Sequence, residues 1–233
     1  YDKVLTRDDV NFHITTYRDN PFLEQSLIDE IERLKTEDEN YYRIYGLGQR
    51  GTARTLIFKT STINQVPEDA TLLGYGLDFG FAADPTAVVG VYVRERELII
   101  DELLYRSGMT GSDIGSALKS LEIDTRKYIY ADTGGGGSVV IEDLKRARIR
   151  AVAAKKGQGS VSDGIDLMRS YHIRITARSV NLIKEFRNYK YKEDRAGNMT
   201  NDPVKAFDHG IDAARYAVFT AMGKPNKGKY HVS

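Results

Sequence analysis

The sequence contains no cysteine, which excludes a disulfide framework and zinc–thiolate sites and is compatible with a reducing compartment. It has no apolar run near the roughly 18 residues that a membrane span needs, and no signal-peptide pattern. A soluble protein without a membrane partner is therefore expected. It also lacks any Gly-x-x-x-x-Gly-Lys-Ser/Thr string, the loop whose backbone amides and lysine cradle nucleotide phosphates. No internal repeat is present.

What remains is ordinary in bulk and informative in distribution. The 233 residues are 41% hydrophobic and 29% charged, enough for the core of one large domain. The net charge of +1 hides an asymmetry, because residues 140–233 carry 19 basic and 10 acidic side chains and the rest of the chain stands at −8. A basic segment beside an acidic one suits a polyanionic substrate, with lysine and arginine on phosphates and carboxylates on cations. Solvated faces would have the same composition.

The first 50 residues lack a compact-domain pattern. Residues 16–23 read as extended and turn-like, with Asn20 and Pro21 against helix. Leu23, Leu27, Ile31 and Leu34 then recur at helical spacing in a segment that fades by Glu39. This predicts an arm, residues 1–55, joined upstream to a further domain. Strands are predicted at 72–80, 87–94 and 97–105, the last two as a hairpin. A helix over 112–121, a strand at 127–132, a helix over 139–147 and a strand at 150–154 follow. Then come a helix over 162–171, a strand at 173–176, a helix over 180–188 and a last helix over about 205–222, with a frayed tail at 223–233. Three meandering strands followed by strand–helix alternation predict an α/β fold, a mixed sheet flanked by helices, in the ribonuclease H-like order.

Three aspartates stand out. Asp78 lies in the apolar strand Gly76-Leu77-Asp78-Phe79-Gly80, Asp132 ends Tyr130-Ala131-Asp132, and Asp212 sits in the last helix. A carboxylate in a buried strand is costly without a partner. Three of them converging can hold divalent metal, as phosphoryl transfer requires. Asp132, before glycines, is also a turn-former. His209 and Asp212 are three apart and share a helix face beside the stripe Phe207, Ile211, Ala214 and Val218. The histidine can bind metal, orient a ligand, move a proton, or be structural. Asp208 is displaced around the helix and reads as exposed, and Asp84 before Pro85 reads as turn chemistry.

Several strings together carry a resemblance: Thr16-Tyr17-Arg18-Asp19-Asn20-Pro21-Phe22-Leu23, the Asp78 strand with Asp84-Pro85-Thr86-Ala87, Tyr130-Ala131-Asp132, Gly157-Gln158-Gly159-Ser160, and Asp208-His209-Gly210-Ile211-Asp212-Ala213-Ala214-Arg215-Tyr216. Spread in order over nearly the whole chain, they resemble the C-terminal nuclease domain of the tailed-bacteriophage terminase large subunit. The resemblance implies a ribonuclease H-like endonuclease, residues 56–222, that cuts concatemeric double-stranded DNA during packaging. It implies two Mg²⁺ or Mn²⁺ ions held by Asp78 as central ligand with Asp132 and Asp212; His209, on the same helix face as Asp212, joins them as a catalytic candidate. It further implies an upstream ATPase motor, a small terminase subunit and a portal protein as partners, in the host cytoplasm. Without the phosphate-binding loop, the chain is expected to be unable to translocate DNA alone. The family commonly continues after the second aspartate with a small residue, an acidic residue and proline. Here Thr133-Gly134-Gly135-Gly136-Gly137-Ser138 stands instead, and four glycines predict a flexible loop.

Two basic elements are candidates for DNA contact. Lys155 and Lys156 lead from a strand into a helix, where amides and ammonium groups meet phosphate. Lys190 and Lys192 alternate with Tyr189 and Tyr191 in a predicted hairpin, aromatics on one face and charges on the other; an edge hairpin kept soluble by its lysines reads the same. Two rival functions share these patterns. Asp78-Phe79-Gly80 and Asp132-Thr133-Gly134 imitate the paired strings of actin-like and sugar-kinase ATPases, which need two such subdomains. A non-catalytic DNA- or portal-binding module would carry a vestigial acidic cluster.

Overall fold

The computed structural model describes residues 13–37, 42–48, 56–80, 84–193 and 199–223. The expected hairpin tip and most of the tail lie outside these residues. The described part of the arm opens with a 3₁₀ turn at Tyr17–Asp19, within the segment that reads as extended and turn-like. Thr16 and Asp19 bond each other's backbone reciprocally there, satisfying the turn's free amides. Helix α1 (Gln25–Glu37) follows, and Ile31 and Leu34 are its buried side chains.

A seven-stranded mixed sheet forms the centre. Its strands are β1 (Thr60–Ile63), β2 (Thr71–Asp78), β3 (Pro85–Arg94), β4 (Glu97–Ser107), β5 (Ile129–Ala131), β6 (Ala151–Ala153) and β7 (His172–Thr176), in the order β1-β7-β4-β3-β2-β5-β6. The pairs β2·β3 and β3·β4 are antiparallel, and the pairs made by β5, β6, β7 and β1 are parallel. Helices α2 (Gly111–Ser120), α3 (Gly137–Arg146), α4 (Ser160–Arg169), α5 (Val180–Asn188) and α6 (His209–Met222) complete the domain, with a small hairpin of β8 (Tyr191–Glu193) and β9 (Met199–Pro203). The strand β1 carries only Ile63 as an apolar side chain, so periodicity could not reveal it; it adds to the edge beside β7.

The sheet separates two cores. One buries Val89, Val91, Leu98 and Ile100 against Ile165, Leu182, Phe186, Ile211, Ala214 and Val218, the apolar stripes of α4, α5 and α6. The other buries Leu77, Val88 and Ile129 against Ile114, Leu118, Val140 and Leu144 of α2 and α3. Central strands are therefore apolar on both faces, as parallel and mixed sheets covered by helices require. The arm adds a third, smaller cluster in which Leu34 meets Val204 and Ala206, with Tyr42, Tyr45 and Phe207 around it.

Candidate metal centre

Two of the candidate carboxylates come from strand ends. Asp78 is the last residue of β2, and β5 runs parallel beside it with Leu77 opposite Ala131. Asp78 and Asp132, the next residue on each strand, thus leave the sheet together at the same edge. The glycine run after Asp132 closes a hydrogen-bonded turn that leads directly into α3. Gly134 N–H donates to Asp132 Oδ1 at 2.9 Å, Gly135 and Gly136 take left-handed φ values of 56° and 94°, and Gly137 already belongs to α3. A Cβ on Gly137 would stand 2.0 Å from the Asp132 carbonyl oxygen. The glycines thus let the chain fold back onto its own carboxylate.

The other functional groups come from α6, which lies across β2. A Cβ on Gly76 would lie 1.8 Å from the carbonyl oxygen of Ala213, so the helix backbone rests directly on the strand and brings Asp212 up to Asp78. His209, the first residue of α6, places Nδ1 3.0 Å from Asp78 Oδ2. Arg215 holds Asp212 Oδ1 through Nε at 3.1 Å and the terminal amine at 2.9 Å. The Tyr216 hydroxyl lies 3.4 Å from Asp132 Oδ2 and 3.5 Å from Asp212 Oδ2, so one O–H spans the strand-borne and helix-borne carboxylates. The structure brings Asp78, Asp132, Asp212 and His209 to one place. Tyr216 and Arg215 belong with them; the sequence signal was their i+4 and i+3 spacing from Asp212.

Charge is concentrated here. Burial raises the Asp78 carboxyl, His209 pulls it back, and the charges of Asp212 and Asp132 raise it further. Burial alone would lower His209, but its hydrogen bond to Asp78 and the charges of Asp78, Glu185 and Asp208 outweigh this and hold it at about 9. Burial likewise opposes ionisation of Asp132, yet the Gly134 amide and Lys156 keep its pKa low. Asp208, expected on the surface, is instead partly buried and pushed up to about 7 by burial and then by the charge of Asp212. Glu30 of α1 is also raised, by burial, with the charge of His209 opposing. Oxygen donors in a desolvated, mutually repelling set are the chemistry that a hard divalent cation relieves. Among the described residues no three such side chains already stand in ligating geometry; each aspartate is engaged by a cation of the chain.

The four lysines separate. Lys156 Nζ sits 2.5 Å from Asp132 Oδ1 and over the Tyr216 ring, at the site itself. Lys155 is tied to the far end of α6: its amide donates to Thr220 Oγ1 at 2.9 Å and its ammonium to the Gly223 carbonyl at 3.4 Å. Lys192 is exposed. Lys190 is 3% exposed, which corrects the expected alternation of buried aromatics and exposed charges. Tyr189 and Lys190 both precede the hairpin strand and are both buried, with Leu56 bridging Lys190. Phe207 also departs from the expected stripe, since α6 starts after it. It takes a left-handed φ of 53° and stacks on Tyr45 of the arm at 3.9 Å.

A mixed sheet with carboxylates at two strand ends and a third on the helix laid across them is the ribonuclease H-like arrangement. The terminase RNase H-like domain model matches residues 78–219, and a phage terminase large-subunit model matches residues 1–49. The chain belongs to the terminase RNase H-like domain family. It is 31% identical over 232 residues to the terminase large subunit of Bacillus phage SPP1, covering 90% of this chain and 52% of that protein; the chain spans about half the length of the curated relatives it matches. Its fold is similar to the Mn-bound large-terminase nuclease domain of bacteriophage SPP1 (TM-score 0.62, 24% identity, 71% of this chain and 97% of that one). It is also similar to the magnesium-bound large-terminase nuclease of thermophilic phage G20c (TM-score 0.53, 20% identity, 72% and 98%).

Proposed function

We propose that this chain is the nuclease part of a phage large terminase, an endonuclease that cuts concatemeric double-stranded DNA during genome packaging by two-metal-ion phosphodiester hydrolysis. The observation that carries the reading is the convergence of Asp78, Asp132 and Asp212, from two strand ends and a helix, at one edge of the sheet. These three would hold two Mg²⁺ or Mn²⁺ ions, with Asp78 as the central ligand. Such ions supply an activated water and stabilise the departing sugar oxygen. His209 holds a proton on Nδ1 against Asp78 Oδ2, which fixes the turn of that carboxylate. Tyr216 sets Asp132 and Asp212 against each other, and Arg215 keeps one oxygen of Asp212 occupied. Lys156 beside the site and Lys192 on the hairpin would meet phosphates, a contact that carries little sequence preference.

On this reading residues 1–55 are the arm from an ATPase motor, 56–222 are the nuclease domain and 223–233 a tail. Further partners are the small terminase subunit and the portal, in the host cytoplasm. No described helix is long and apolar enough to cross a membrane. The test is supercoiled plasmid with Mn²⁺ or Mg²⁺ and no ATP, which should become nicked, then linear, then degraded. Cleavage that persists in excess EDTA contradicts the metal mechanism. Binding of DNA without cleavage at any metal concentration would support the non-catalytic module instead.

A further inference from the structure

Helix α6 begins without a cap of its own. Asp208 occupies the capping position, yet its side chain makes no bond to the helix amides. The first-turn amides therefore need an acceptor from elsewhere. Glu185 of α5 supplies it. Its carboxylate is 3% exposed, Oε2 accepts the Ile211 N–H at 3.0 Å, and Oε1 accepts the Tyr105 hydroxyl at 2.8 Å. The neighbouring Gly210 amide also favours the charged form of this carboxylate. Ile211 is the third residue of α6, the amide that an ordinary capping side chain would take. Gly210 packs closely on the same contact: a Cβ there would fall 2.6 Å from Leu182 Cδ1 and 3.0 Å from Glu185 Oε2.

The device is used twice in succession. Ser179 stands at the capping position of α5, again with no side-chain bond to its helix. Glu102 of β4 takes the Leu182 N–H at 2.9 Å and the Asn181 side-chain amide at 2.7 Å. The sheet thus seats α5 through Glu102, and α5 seats α6 through Glu185. The two residues that α6 brings to Asp78 flank the amides Glu185 holds: His209 on one side, Asp212 on the other.

We propose that Glu185 is a positioning residue of the metal centre, replacing the missing cap of α6 and so fixing where His209 and Asp212 stand relative to Asp78. The role of the centre rests on the function proposed above; the seating of the helix does not. Glu185 touches no reacting atom. Its carboxyl is raised to about 8, by burial first and against the pull of its hydrogen bonds. Glutamine is therefore a near-isostere that keeps an acceptor for Ile211 and offers a donor towards Tyr105.

The test uses the full 233-residue chain as wild type, Glu185→Gln, Glu185→Ala and Tyr105→Phe. Hydrogen exchange at Gly210 and Ile211 is read without metal. Mn²⁺ binding by calorimetry, and kcat and KM on plasmid DNA, are read with it. Glu185→Ala should speed exchange of those two amides at least tenfold and weaken Mn²⁺ binding by about 10- to 100-fold, the range for an outer-shell partner. Its kcat should fall while KM for DNA stays within about twofold. Glu185→Gln should restore all three readouts, and Tyr105→Phe should move them in the alanine direction by a smaller factor. Should Glu185→Ala not fold, Tyr105→Phe decides. Unchanged exchange and unchanged Mn²⁺ affinity in a folded Glu185→Ala or Tyr105→Phe chain overturn the proposal. Faster exchange in a protein whose wild type binds no Mn²⁺ leaves the seating standing and overturns the metal reading alone.

Discussion

The site has two halves that are built differently. Asp78 and Asp132 leave adjacent parallel strands of the central sheet, where ladder hydrogen bonds and two apolar cores fix them. His209 and Asp212 ride on the start of α6, a helix whose apolar face is buried in the larger core and whose first turns meet three particular contacts. These are the glycine at 76 under Ala213, the carboxylate of Glu185 on the Ile211 amide, and Phe207, held left-handed against Tyr45. The ladder spreads the support of the sheet half over many bonds, whereas the start of α6 leans on these particular contacts in addition to its buried face. Substitutions that spare the ligands should therefore harm the site mainly through the helix half.

The largest effects should come from the ligands themselves and be equal across the halves. Asp78→Asn, Asp132→Asn and Asp212→Asn should each reduce plasmid cleavage by at least about 100-fold, beyond the cost of losing an outer-shell partner, with the fold retained by circular dichroism. His209→Ala should be milder, because Asp78 keeps its oxygens. Cleavage by Asp78→Asn at the wild-type rate would remove the central ligand from the account.

The halves should then separate in stability. Gly76→Ala forces a Cβ to within 1.8 Å of a helix carbonyl and should cost about 1–3 kcal/mol, as overpacking does. Gly157→Ala, with nothing within 4 Å, should stay within about 0.5 kcal/mol of wild type. Urea denaturation of both variants checks the pair; equal midpoints would mean that α6 does not rest on β2 as described.

The helix half should also make the metal-free protein sensitive to pH. His209 is raised from 6.5 to about 9, Glu185 from 4.5 to about 8 and Asp208 from 3.8 to about 7. Each group binds its proton more tightly folded than unfolded. Between the two values the folded chain keeps a proton that the unfolded chain has released, so stability falls as pH rises. In EDTA the urea midpoint should decline from pH 6.5 to 9, and His209→Gln should flatten part of that decline. A midpoint that rises over this window would reverse the assigned charge states.

The smallest effects belong to the basic hairpin. Lys192→Ala should lower the salt slope of DNA binding by about one unit and leave Mn²⁺ binding unchanged. Lys190→Ala should instead act on stability, since its side chain is buried. A salt slope altered by Lys190→Ala and untouched by Lys192→Ala would exchange the two roles.

The same contrast explains what could be read in advance. Asp78 and Asp132 were legible because a polar residue in an apolar strand, or at its end, stands out locally, and the sheet with its flanking helices followed from periodicity. Helix α5 was placed at its observed bounds for the same reason. The supports of α6 were not legible. Gly76 looks like any strand glycine until Ala213 is laid over it, 137 residues later. Glu185 looks like an exposed helix charge until its partners at 105 and 211 arrive. Composition does not report the turn that the glycine run after Asp132 closes, nor that the hairpin strand starts one residue after Lys190.

The central claim is that the two halves meet to hold divalent cations, and anomalous scattering from crystals soaked in Mn²⁺ tests it most directly. Anomalous peaks are expected among Asp78, Asp132 and Asp212, with Asp78 oxygens at about 2.1 Å, and should be lost in Asp78→Asn. Cleavage-competent crystals with Mn²⁺ peaks elsewhere, or none at these carboxylates, would contradict it.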